Sequence, residues 1–222
     1  IHGPARINTW FDLPGRTPII TILRCPLFAA ARMCWLVSPY AALAQQPLPA
    51  EGDEPQLLAV LNSDAELFEK AKVCQRLAII GTSKSVPVLA KFLADKDLSH
   101  YARIALESNP SPVVDEALRQ ALGELSGKQL VGVINSVAAR NDAKAVDALV
   151  AVAGKDDDLV AAAAVSALGA LATPESITAA QQALNGKSSL RVTAADACLA
   201  AADRLLVEGK NSEALKLLEA LR

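Results

Sequence analysis

Residues 159–171 read Leu159-Val160-Ala161-Ala162-Ala163-Ala164-Val165-Ser166-Ala167-Leu168-Gly169-Ala170-Leu171, and after Ala172 comes Thr173-Pro174. Alanine and leucine lead the helix propensity scale, so the run predicts a helix. Thr173-Pro174 predicts the start of another. A threonine oxygen accepts an unpaired amide of the first turn, and proline at the first helical position gives up an N–H that the helix does not use.

The same start signal recurs. Thr82, Ser111, Asp142 and Thr173 each precede an apolar-periodic segment, at spacings of 29, 31 and 31, and Ser111 is likewise followed by a proline, Pro112. Seven residues beyond each cap stand Leu89, Leu118, Leu149 and Ala180; eleven beyond stand Leu93, Leu122, Ala153 and Leu184. Spacing of i, i+4 puts these on one face of a helix. Five residues before each cap stand Leu77, Leu106, Val137 and Leu168, which mark a preceding helix. Each unit is therefore an A helix, a short turn and a B helix. Loops such as Ala94-Asp95-Lys96-Asp97 and Gly154-Lys155-Asp156-Asp157 join the units. Fixed periods of this kind signal stacked supersecondary units, and no alternating strand pattern competes after residue 50.

A fifth unit is expected with a longer A helix from about Ser189 to Glu208, and Asn211 as the next cap, 38 residues after Thr173. Gln56 to Leu61 predicts a leading helix, and Ser63-Asp64-Ala65-Glu66 reads as a capping box for the helix after it. At the other end, Leu215 and Leu218 are expected to pack inward. Leu217 and Leu221 are expected to point toward a further unit, so the repeat domain of residues 56–222 reads as one that continues beyond Arg222 and self-associates weakly as it stands.

Residues 159–174 resemble the bacterial HEAT-like repeat, whose usual pattern is an acidic turn, Val-Arg, an alanine run, Ala-Leu-Gly and a capped proline. Asp95-Lys96-Asp97-Leu98 through Tyr101-Ala102-Arg103-Ile104-Ala105-Leu106 looks like a second copy, and the resemblance spans roughly residues 60 to 220. Ala161 stands where the family's arginine is usual, so the Asp–Arg ladder between neighbouring repeats is incomplete. The resemblance implies an all-α fold, an α-solenoid of about five HEAT-like helix pairs in a right-handed superhelix. Residues 68–106 are also similar to HEAT modules at the front of large secreted bacterial proteins, some of which carry a sugar-hydrolase-like β domain or a haem domain further on.

The 222 residues carry a formal net charge of -2, with 52% hydrophobic and only 4% aromatic residues. Charge is unevenly placed. Residues 1–44 hold Arg6, Arg16, Arg24 and Arg32 against Asp12, a balance of +3, which leaves -5 for the rest. A basic front, an apolar middle and Ala42-Leu43-Ala44 describe a signal peptide cleaved after Ala44, which predicts a periplasmic or secreted protein. Arg32 interrupts the apolar stretch, and the chain starts at Ile1, so a non-native leader or an apolar tail on a cytoplasmic protein is the alternative. Two arginines with Pro26 and Pro39 break what a membrane span needs, ~20 clean apolar residues. Residues 45–55, with Pro47, Pro49, Gly52 and Pro55, read as a flexible linker.

Chemistry-bearing residues are few. Cys74 and Cys198 fall on apolar stripes, where free cysteine packs as a small hydrophobe. Units one and five are too far apart for them to pair. His100 is the one histidine after His2, so a histidine-based metal site within one chain is not expected. Asp156-Asp157-Asp158 precedes an A helix, where negative charge complements the helix dipole. There is no Gly-rich phosphate loop, no Gly-x-Ser-x-Gly and no Cys-x-x-Cys, so no catalytic or cofactor role is expected. Nine residues past the caps stand Lys91, Gln120, Ala151 and Gln182, a mixed row rather than the basic ladder of a nucleic-acid groove.

These observations predict a non-catalytic protein-interaction module that presents its B helices to a protein partner or to an adjacent domain of the same chain. The candidate binding residues are His100, Tyr101 and Arg103 at a repeat edge, with Lys91, Arg119 and Gln182 on the B helices. The alternative is an enzyme accessory. Some HEAT-like proteins act as bilin lyases, so the resemblance admits a tetrapyrrole-handling role, or that of the front module of a secreted sugar hydrolase.

Overall fold

The computed structural model describes residues 53–221. The expected signal peptide and nearly all of the expected linker lie outside them. The linker's last residues are helical instead, because α1 (Glu54–Leu61) takes Pro55 into its first turn. Among the described residues the fold is all-α, with eleven α-helices, three short 3₁₀ turns and no strand. No described helix is long and apolar enough to cross a membrane.

The A series comprises α2 (Leu67–Ile80), α4 (Ser99–Ser108), α6 (Gly127–Ala139), α8 (Asp158–Leu171) and α10 (Arg191–Val207). The B series comprises α1, α3 (Val86–Lys91), α5 (Val113–Glu124), α7 (Val146–Ala153), α9 (Pro174–Leu184) and α11 (Asn211–Glu219). Each A helix packs on the next A helix along the chain, from α2 through α10. Successive B helices from α3 to α9 pack likewise, and every B helix also touches a sequence-adjacent A helix. The apolar register explains this order. Leu89, Leu118, Leu149 and Ala180, the residues seven beyond each cap, have no exposed surface, and Leu77, Leu106, Val137 and Leu168 are buried on the facing A helices.

Helix α8 joins the two halves of the core. Val160, Ala164, Ala167, Leu168 and Leu171 pack into the cluster that runs back to Leu57. Ala161 and Val165 pack into the cluster that runs forward to Leu217. A helix buried on two sides needs small residues, and its alanines and Gly169 supply them. Ala161 itself has no exposed surface.

Four local expectations are corrected. Asp142 and Thr173 do cap with their side chains, Thr173 in a reciprocal box with Ser176. Ser111 does not: its carbonyl accepts Val114 N–H at 3.1 Å, and Pro112 stands at the cap of α5 without a side-chain bond. The Thr82 hydroxyl accepts Lys84 N–H two residues on, while Ser85 stands at the cap of α3. Ser63 does not close a capping box with Glu66; its hydroxyl accepts Ala65 N–H at 3.2 Å, and α2 starts at Leu67.

The correction at the last helix changes the face it buries. Gly209, at φ 77, ends α10, and Lys210 rather than Asn211 holds the cap position of α11. Counted from Lys210, the seventh residue is Leu217, which is 4% exposed, whereas Leu215 is 57% exposed. Leu217 is therefore core and Leu215 is not, the reverse of the sequence expectation. Leu218 and Leu221 are partly buried against the same cluster.

Candidate functional site

Polar side chains at the turns from A to B helices join successive units. Arg140 closes α6 and reaches back to the end of α4. Its Nη1 donates to the carbonyls of Leu106, Glu107 and Asn109 at 3.2, 3.1 and 2.6 Å, its Nη2 to Ser111 O at 3.3 Å, and its Nε to Asp115. The last carbonyls of a helix lack intrahelical partners and carry partial negative charge, so an arginine there is favourable twice over. Asn109 does the same for the end of α2, donating to Gly81 O and Thr82 O at 3.3 and 2.9 Å. Arg204 of α10 donates to Ala170 O of α8 at 2.8 Å.

Helix α5 is clasped by two reciprocal ion pairs. Asp115 pairs with Arg140, and Arg119, one turn further along α5, pairs with Asp142. The Asp142 carboxylate also accepts Lys144 N–H at 3.2 Å. At the turn between α10 and α11, the hydrogen bond from Lys210 and then that from Arg204 hold the Glu208 carboxyl below its usual range.

The candidate residues fall in three places. His100, Tyr101 and Arg103 are together on α4: the His100 and Tyr101 rings meet edge-on at 5.7 Å, and Arg103 Nη2 lies 3.5 Å from His100 Nδ1. The Arg103 guanidinium is turned onto α6, donating to Gly132 O at 3.2 Å and to Ser136 Oγ at 3.5 Å. Gly132 makes this possible, because a Cβ there would lie 2.6 Å from Arg103 Nε. Arg119 is held by Asp142 and is not brought to His100. Lys91 and Gln182 stand exposed on the B helices α3 and α9, with α5 and α7 between them.

Between those B helices lie grooves. One, of about 210 Å³, has Lys91 and Leu93 on one wall and Gln120 and Glu124 on the other. A second, of about 240 Å³ between α7 and α9, has Val165, Leu168 and Leu190 at its floor and Val150, Gln182 and Lys187 among its walls. Val150 is 42% exposed at its lip. Lys187 is oriented by Lys155 O at 2.9 Å and Asp156 at 3.6 Å. A third hollow, of about 250 Å³, lies among α9, α10 and α11 with Ile177, Leu205 and Leu217 beside Lys210 and Lys216.

Cys74 and Cys198 are both buried and unpaired, and burial pushes the Cys74 thiol up to about 11. Asp157 caps α8 through Leu159 N–H and Val160 N–H, which assigns the middle of the acidic triplet a local role. Among the described residues no group of three or more His, Cys, Asp or Glu side chains is placed to hold a metal ion.

Residues missed at the sequence level are those of the turns: Asn109, Asp115, Arg140 and Arg204. A signal was present. Asn109 and Arg140 each stand two residues before a marked position, Ser111 and Asp142, where Ile80 and Leu171 occupy the same place in the flanking units. Compared with known proteins, the chain matches no family model and no curated protein.

Proposed function

We propose that residues 56–222 form an α-solenoid of HEAT-like helix pairs in a right-handed superhelix, and that it serves as a non-catalytic scaffold for a protein partner. The partner lies across the B helices, in an extended stretch whose apolar side chains enter the grooves of α3–α5 and α7–α9. One observation carries this reading. The B-helix row exposes Lys91, Gln120, Ala151 and Gln182 at one repeat position, beside two grooves, of which that of α7–α9 is largely apolar. Exposed positions at a fixed repeat beside two separate grooves suit an extended protein segment better than a compact small molecule. The arginines nearby are engaged in joining helices, so recognition falls to the grooves and to Lys91, Gln120 and Gln182.

Export to the periplasm or beyond belongs to the same proposal and rests on residues 1–44 alone. The test of the binding face is photo-crosslinking in the cells of origin, with a photoreactive residue placed at Gln182 or, for comparison, at Ser166 on the exposed side of α8. Adducts of a defined mass from Gln182 and none from Ser166 are expected. Adducts from Ser166 alone would place the partner on the other face. A tetrapyrrole-handling role predicts instead a visible spectral change on mixing with haem or bilin; the scaffold reading predicts an unchanged spectrum.

A further inference from the structure

Helix α10 packs on α8 along one side. On its far side Val192, Leu199 and Leu206 recur every seven residues and are 73%, 47% and 46% exposed. Asp196 and Asp203 are exposed on the same stripe. Helix α2, at the other end of the A series, exposes Phe68 and Ile79 at 60% and 70%. Its neighbouring cations are Lys72, which lies over the Phe68 ring at 4.5 Å, and Arg76, one turn further on.

We propose that these two faces are the halves of a head-to-tail contact between copies of this chain, in which α2 of one copy docks on α10 of another. Three observations support it. Both faces expose large apolar side chains, as docking surfaces do. The charges among them are opposite in sign: Asp196 and Asp203 on α10, Lys72 and Arg76 on α2. Opposite charges favour this pairing and disfavour the back-to-back one, since two α10 faces would bring their aspartates together. Last, each A helix packs on the next from α2 to α10, so an incoming α2 extends a series the chain already contains. A contact between two different faces leaves one of each free on a dimer, so association continues past the dimer, into a chain or a closed ring, and rises with concentration. The inference is independent of the groove reading, which concerns the B helices.

The test uses sedimentation velocity on the full chain and on two variants with exposed substitutions, Phe68→Gln/Ile79→Gln at the front and Leu199→Gln/Leu206→Gln at the back. Neutral glutamines are chosen so that the two altered faces acquire no attraction for each other. The wild-type chain is expected to form a concentration-dependent series of oligomers. Each variant alone is expected to associate at least about tenfold more weakly, because apolar area leaves the contact, with its helical circular dichroism unchanged. An equimolar mixture of the two is expected to form a 1:1 complex and nothing larger, since one intact front and one intact back remain. A wild-type chain that stays monomeric at ~1 mM overturns the proposal, as does a variant that associates like wild type or a mixture that fails to pair.

Discussion

Gly169 of α8 lies so close to Ala197 of α10 that a Cβ on Gly169 would stand 2.6 Å from the Ala197 Cα and 2.7 Å from its Cβ. Both neighbours belong to rigid helix, so neither can swing aside. Gly169→Ala is therefore expected to destabilise the fold by about 1–3 kcal/mol, the cost of overpacking. Gly123 of α5 is the control, because nothing lies within 4 Å of a Cβ built there. Gly123→Ala gains helix propensity at no steric cost and should stabilise by about 0.5–1 kcal/mol. Urea midpoints of the two variants should move in opposite directions.

Arg140 and Arg204 make the same kind of contact with very different burial. The Arg140 side chain is 11% exposed and joins three helix-end carbonyls to Asp115, whereas that of Arg204 is 35% exposed. Arg140→Ala leaves those partners unpaired away from water and is expected to cost about 2–4 kcal/mol. Arg204→Ala removes a contact that water can replace, for about 0–1 kcal/mol. Equal losses in chemical unfolding would mean that the α4–α6 turn is not the tighter joint.

The Cys74 thiol, raised from 9.0 to about 11 by burial, makes stability depend on pH. A raised folded-state value means that the folded chain holds its proton where the unfolded chain releases it. The contribution is complete below pH 9.0 and is lost as pH climbs toward about 11. Two units amount to roughly 2–3 kcal/mol over that window. Comparison of wild type with Cys74→Ala should show a steeper loss of stability for wild type between these values. Thiol labelling at neutral pH should be slow for both cysteines until denaturant is added.

The repeat was legible because it rests on periodic burial. Leu89, Leu118 and Leu149 could be placed in the core by counting from caps, and Asp142 and Thr173 announce their helices by residue type alone. Asn211 misled by one residue, since an asparagine suits a cap, yet the turn at Gly209 delivers Lys210 there and shifts the buried position from Leu218 to Leu217. The polar joints were harder to read. That Arg140 reaches Leu106 O, or Arg119 reaches Asp142, depends on how two units sit against each other, which periodicity does not encode. Ala172 shows the same limit: it takes φ 52 at the end of α8, a left-handed turn that glycine or asparagine would have signalled.

The proposed solenoid is tested most directly by small-angle X-ray scattering on residues 53–222 carrying Leu199→Gln/Leu206→Gln, extrapolated to zero concentration. Five helix pairs spaced ~8–10 Å apart in a single row predict a radius of gyration of about 18–20 Å and a distance distribution skewed to long separations. A chain of this length folded as a compact globule has a radius of gyration of about 15 Å with a symmetric distribution, and that result would contradict the stacked-pair arrangement.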